Sequence, residues 1–214
     1  PGFRRQGVLL AGYDLSGRKV TETSTRLFAA SLLDRLNAAP GIEAAAIAAA
    51  VPLDIHGLPM RTFTLEGRSR PPDSPDQALT NTVTPGYFTV MGLSFVAGRD
   101  FADLRDEAAP LQAVVNQEFV RRYLDGGDPI GRRIETRGKN YAIAGVVKTS
   151  LYNAFGEPPT PMIYFSYRDR PSPTGEIHLR TRAGSETSVA NDVRAMVRDL
   201  DPELPVYDVR TLSD

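Results

Sequence analysis

The chain has no cysteine, only two histidines among its 214 residues, and 25 basic against 26 acidic side chains. Each shortage excludes something. Without cysteine there is no disulfide, no thiolate nucleophile and none of the common structural zinc sites. A net charge of -1 offers no field for a polyanion, so nucleic acid is not an expected partner. The nearest basic cluster, Arg121-Arg122 with Arg132-Arg133, is interleaved with Asp125, Asp128 and Glu135 and reads as a solvated face. No apolar run approaches the ~20 residues that span a bilayer, and no signal peptide is visible. The chain opens at Pro1 without an initiator methionine, so we expect a piece of a longer protein whose membrane segments lie outside it.

What is present is an ordinary globular composition, 41% apolar and 24% charged, on a chain long enough for a sizeable core. Residues 8–15 form a β-rich apolar run. Across 20–38, Phe28, Leu32 and Leu36 with Ala29 and Leu33 fall three and four apart, the buried stripe of a helix that Pro40-Gly41 stops. Residues 42–51 read as a returning strand, though their alanines weaken the signal. A second β-α-β unit lies at the far end. There Ile177, Leu179 and Thr181 alternate with His178, Arg180 and Arg182, so His178 is expected to face outward. After Gly184-Ser185, the residues Val189, Val193, Met196, Val197 and Leu200 share one helical face, and 205–211 supplies a closing strand with Val206 and Val209.

Two such halves at opposite ends predict an α+β fold: a split, ferredoxin-like domain, residues 1–85 and 159–214, with a small α+β subdomain, 86–158, inserted in it. The insertion is predicted to hold a helix near 87–91, a strand at 113–115, a helix over 116–124 with Asn116 as N-cap, and strands at 133–135 and 141–147. Strands at 60–66, 79–83 and 162–167 flank it. Residues 67–76, with three prolines and several charges, read as an exposed loop.

Nothing in the chain is arranged for covalent chemistry. Phosphate-loop and dinucleotide fingerprints are absent, so ATP would be handled elsewhere. His56 and His178 have no partner at ligand spacing; His56, beside Gly57 and Pro59, reads as a loop residue. Asp100, Asp103, Asp106 and Glu107 do not follow a calcium-loop pattern and are explained as acidic residues near the start of a short helix. Ser150 near Lys148 is one of the few nucleophile and base pairs, and nothing else recommends it. No catalytic, cofactor or metal site is expected. The glycines Gly86, Gly92, Gly98 and Gly131 are expected at turns with positive φ. Tyr87 and Phe88 would anchor a short helix against the core of the insertion, and Pro129 would set a turn that folds Ile130 inward.

The order Gly86-Tyr87-Phe88, Met91-Gly92-Leu93, Gly98-Arg99-Asp100-Phe101, Val114-Val115-Asn116 and Asp128-Pro129-Ile130-Gly131 resembles the periplasmic core domain of MacB-type, FtsX-like ABC transporter permeases. Residues 141–147 and 177–212 continue the resemblance over nearly the whole chain. It implies a split porter subdomain and an inserted Sabre subdomain between two transmembrane helices, with apolar stretches of ~20 residues just outside each end. It implies no cofactor in this chain, because ATP is bound by a separate cytoplasmic ABC ATPase subunit or domain. The implied partners are that ATPase, a second permease protomer or duplicated half, and a membrane fusion protein or other periplasmic protein. The implied location is the cytoplasmic membrane, with this domain in the periplasm or outside the cell. The implied work is coupling ATP hydrolysis to periplasmic movement for export or efflux. Gly126-Gly127-Asp128-Pro129 and the ending 204–212 resemble the duplicated permeases most. Hinges between the lobes are expected at 83–86 and 156–161. The alternatives are a stand-alone secreted module that binds a ligand in the inter-lobe cleft, and an enzyme of unrecognised type.

Overall fold

The computed structural model describes residues 6–52, 57–150 and 158–212. His56 lies outside the described residues, as does part of the second expected hinge. The two end units interlock. β1 (Val8–Asp14), α1 (Glu22–Ala38) and β2 (Ile42–Ala48) come from the first, and β10 (Thr174–Thr181), α4 (Glu186–Leu200) and β11 (Val206–Thr211) from the second. β10 inserts between β1 and β2, and β11 adds outside β1, giving the antiparallel order β11-β1-β10-β2. α1 starts at a capping box, where Ser24 N–H donates to Thr21 Oγ1 at 3.0 Å and Thr21 N–H to Ser24 Oγ at 2.9 Å. Its Leu32, Leu33 and Leu36, with Val189, Val193 and Val197 of α4, cover one face of this sheet in a cluster that includes Ile47, Ile177 and Leu179.

The middle of the chain supplies β3 (Met60–Leu65), β4 (Asp76–Val83), α2 (Tyr87–Met91), β5 (Phe95–Gly98), β6 (Gln112–Asn116), α3 (Gln117–Tyr123), β7 (Arg133–Thr136), β8 (Lys139–Val147) and β9 (Met162–Ser166). Six of these strands close on themselves in the order β4-β3-β7-β8-β6-β9, because β9 also pairs with β4. Alternate side chains point into the ring: Phe63, Ala78, Val115, Ile134, Tyr141 and Phe165 join one cluster, and Phe119 and Tyr123 of α3 belong to it too. A ring has no edge except where strands end, so its backbone is satisfied internally. β3, β4 and β9 lie outside residues 86–158 and still complete this ring, so the sheet is continuous across both expected boundaries.

The link between the four-stranded sheet and the ring is narrow in backbone. β2 and β4 share the single pair Ala48 and Val83. Side chains widen it: Thr84 Oγ1 accepts from Ile47 N–H at 2.9 Å, and Asn81 accepts from Ala50 N–H at 3.2 Å and donates to Ala50 O at 2.9 Å. Val83 and Thr84 are fully buried, and Val83 sits in a cluster that contains Leu10 of β1 and Val114 of β6. The expected hinge at 83–86 is therefore corrected: this peptide lies inside a core shared by both parts, where rotation would expose apolar surface. At the second expected hinge, the described residues Pro158 and Pro159 are exposed, whereas Pro161 is buried.

Two further expectations change. Asp100, Asp103, Asp106 and Glu107 head no helix of their own; residues 101–111 form turns without regular structure. Asp103 and Asp106 accept from backbone N–H groups two and three residues on, while Arg105 pairs with Asp34 and Glu107 with Arg26 of α1. The segment is strapped to α1, with Leu104 buried beneath it in the α1 cluster. Ile130 does not fold inward: it is 40% exposed and leans over Gly98.

Candidate functional site

The residues singled out in the sequence converge on α2 and its surroundings. Left-handed glycines stand at both ends of this helix, Gly86 with φ 88° and Gly92 with φ 68°. A side chain at either would be strained, and at Gly86 it would also press to 3.2 Å from the Ala45 carbonyl. Leu93 N–H donates to Phe88 O at 2.8 Å across the C-terminal turn, which ends the helix after little more than one turn. At the other end the Asp100 carboxylate accepts from Gly86 N–H at 2.9 Å and from Phe101 N–H at 2.7 Å. Burial pushes the Asp100 carboxyl above its ordinary value, and the two N–H groups pull it back.

Tyr87, Phe88, Val90 and Met91 are all buried, so α2 is covered on nearly every side. Phe88 meets Phe95 at 5.1 Å, Tyr164 of β9 at 5.0 Å and Phe101 at 6.1 Å, between ring centroids. Tyr87 presents its ring to His178 of β10 at 5.5 Å and to Tyr164 at 6.0 Å. Arg180 of β10 donates to the Val90 carbonyl. These contacts correct two expectations. Phe88 does rest on insertion residues, Phe95 and Phe101, but Tyr164 of β9 and His178 of β10 hold α2 as well, so its anchor is shared with the β1-β10-β2 sheet and not confined to the insertion. His178 faces inward and is fully buried, because α2 covers the face to which it points. Burial first, then the nearby Arg210 charge, drives its imidazole down to about 4, against a bond between Nδ1 and Glu176 O at 2.9 Å.

The other motif residues lie in the ring or at its margin. Asn116 is fully buried and clips three segments: its Oδ1 accepts from Phe119 N–H at 2.9 Å and Met162 N–H at 3.0 Å, and its Nδ2 donates to Thr160 O at 2.9 Å. Gly98 has φ 65°, and a Cβ there would stand 2.1 Å from Ala144 O. Pro129 and Gly131 shape the turn before β7, where Gly131 N–H donates to Ile143 O at 2.8 Å. Gly86, Tyr87, Phe88, Gly92, Asp100 and Phe101 thus meet around α2, whereas Gly98, Asn116, Pro129 and Gly131 do not join them. Thr84, Tyr164 and Arg180, not singled out in the sequence, complete the seam with His178. The signal for them was in β2, whose Ala45, Ala46 and Ala48 are small on both faces because layers pack on both.

The arrangement is a packing junction. Lys148 is exposed and Ser150 buried, and among the described residues no three His, Asp or Glu side chains come together as a metal site. The space between sheet and ring is filled by the α2 cluster. An open cleft of about 840 Å³ lies elsewhere, between β5 and α3, over Ala97, Val120 and Val146.

A split antiparallel sheet joined to a closed ring through a buried junction defines a mixed α+β domain. The chain belongs to the family of MacB-like periplasmic core domains, which it matches over residues 9–196. Its fold is similar to the periplasmic region of MacB from Actinobacillus actinomycetemcomitans, with TM-score 0.58 and 11% identity over 95% of this chain and 89% of that one. It is likewise similar to a domain of a putative permease protein from Porphyromonas gingivalis, with TM-score 0.57 and 15% identity over 95% and 90% of the two chains. The extracellular domain of the noncanonic ABC-type transporter YknZ from Gram-positive bacteria gives TM-score 0.55 and 12% identity over 94% and 100%. No curated protein matches the chain significantly. Among the described residues no helix is long and apolar enough to cross a membrane.

Proposed function

We propose that this domain has no catalytic role of its own and carries movement, driven by ATP hydrolysis on the far side of the membrane, to the extracytoplasmic side during export or efflux. The observation that carries this is the pairing of β1 with β11. Leu9 stands opposite Thr211, and Leu212 N–H donates to Val8 O at 2.9 Å, so the chain enters and leaves the fold at one point. Two membrane helices attached there would drive the domain from a single base. The buried α2 junction then passes a displacement of the four-stranded sheet to the ring without loss in a hinge.

In this reading residues 1–85 and 159–214 stand next to the membrane and 86–158 reach away from it, with β3, β4 and β9 as a shared wall. ATP belongs to a separate ABC ATPase, and a second protomer or duplicated half faces this one. A membrane fusion protein or another periplasmic protein completes the assembly. Purification of the full-length permease is expected to bring down an ABC ATPase. A full-length gene without apolar segments on either side of this domain would refute the proposal.

A further inference from the structure

The turn that follows α3 holds the one Asp-Gly step of the chain, Asp125-Gly126, and there is no Asn-Gly step. Asp125 is exposed and stands at φ 49°, a left-handed conformation that costs a residue with a side chain some strain. Gly126 follows at φ 75°, and a Cβ there would meet nothing within 4 Å, so the space around this peptide is open. Among the described residues neither the Asp125 carboxylate nor the Gly126 N–H has a hydrogen-bond partner or counter-charge. Two neighbouring cases differ. Asp73-Ser74 is also exposed, but its Ser74 N–H donates to Pro71 O at 3.1 Å. Asp128 precedes Pro129, which has no N–H, and its Oδ1 is taken by Ile130 N–H at 3.1 Å.

We propose that Asp125 is a site of spontaneous modification, at which the folded chain converts its aspartyl link to Gly126 into an isoaspartyl one. The Gly126 nitrogen attacks Cγ of Asp125. An N–Cγ bond forms, the Cγ–OH bond breaks, and the proton of the nitrogen leaves with that hydroxyl as water, closing a succinimide ring. Water then adds back at either ring carbonyl. Opening on the main-chain side leaves the peptide running through Cγ, with the α-carboxylate of Asp125 as the new side group. No oxidant or co-reactant besides water is consumed. Glycine favours the attack because it has no side chain to obstruct it and its backbone turns freely into the required geometry. At Asp73 the nitrogen is held in a turn by Pro71 and is kept from that approach. The product gains one methylene in the main chain between Leu124 and Gly127, whose bond of 2.8 Å from Gly127 N–H to Leu124 O closes the turn. The connection from α3 to β7 is loosened as a result. This inference stands apart from the transport proposal, since it concerns chemistry of the chain itself.

The test holds the 214-residue chain folded at physiological temperature for several weeks, beside a sample kept unfolded in urea. Trypsin cuts after Arg122 and Arg132, and electron-transfer fragmentation of peptide 123–132 reads isoaspartate at Asp125. Asp128 in the same peptide cannot close the ring through Pro129, so it serves as the internal blank. The ratio of isoaspartate at Asp125 to that at Asp73 is expected to be at least tenfold higher in the folded chain than in urea. Asp125→Asn keeps the tolerance for a left-handed backbone and closes the same ring with loss of ammonia, so it should convert at least tenfold faster than the parent. Asp125→Glu, whose ring would need a further methylene, should give none. Amide exchange at 127–131 should be faster in the aged parent than in the fresh one, and unchanged by ageing in Asp125→Glu. A folded ratio no higher than that in urea would overturn the proposal, as would an Asp125→Asn chain that persists unconverted. Unchanged exchange at 127–131 in the isomerised chain would overturn the loosening of the turn.

Discussion

Asp100 and Gly86 are joined by a hydrogen bond of 2.9 Å, from the backbone at the start of α2 to a partly buried carboxylate fourteen residues on. The same carboxylate takes the Phe101 N–H, so one side chain holds both the helix start and the strand exit. Asp100→Ala would leave two N–H groups without their acceptor and is expected to cost about 2–3 kcal/mol in urea unfolding. Asp100→Asn, which keeps one acceptor oxygen, should fall between. An alanine variant as stable as the parent would show that the seam does not depend on this bond.

His178 makes the seam acid-sensitive. Its imidazole titrates near 4 in the fold against an ordinary 6.5, so the unfolded chain binds the proton first as pH falls. The stabilisation is fully present above about 6.5 and is lost progressively down to about 4, amounting to roughly 3 kcal/mol. Unfolding free energies between pH 7 and 4 should therefore fall more steeply for the parent than for His178→Asn. Parallel curves would contradict the burial of this ring.

Two glycines with similar backbone angles separate strain from collision. Gly98 has φ 65° and Gly138 φ 72°, but only at Gly98 would a Cβ strike the backbone of β8. Gly98→Ala is expected to cost at least about 2 kcal/mol more than Gly138→Ala, and to speed amide exchange at 144–147. Equal costs would mean that β5 is held loosely.

Asn116 ties α3 to the start of β9 by three bonds from a fully buried side chain. Asn116→Ala is expected to lose about 3 kcal/mol, more than an N-cap alone provides. A loss below about 1 kcal/mol would show that the contacts to Thr160 and Met162 carry little.

Local signals were enough for the elements and not for their assembly. The stripes Leu32, Leu36 and Val189, Val193, Val197 announced α1 and α4, and Asn116 announced the start of α3, because each depends on neighbours in sequence. His178 was misjudged because strand alternation says which residues share a face but not whether a second layer covers it. The ring was invisible for a similar reason: β4 pairs with β9 in parallel across some eighty positions, and no spacing encodes that closure. β5, with its glycine and its short length, carried too little periodicity to register. The motif glycines were legible as turns, but their convergence on α2 depends on Asp100 reaching back to Gly86.

The central claim is that the sheet and the ring move as one body when the ATPase proposed to drive the full-length permease hydrolyses ATP. Since this chain has no cysteine, Asp192→Cys on α4 and Lys139→Cys on β8 allow clean spin labelling in the transporter, provided the remainder is made cysteine-free. Pulsed electron-paramagnetic distance measurements, with and without nucleotide, should show the Asp192 to Lys139 separation unchanged within one domain and the separation between the two domains of the transporter shifted. A nucleotide-dependent change within the domain, with the separation between domains fixed, would contradict the account.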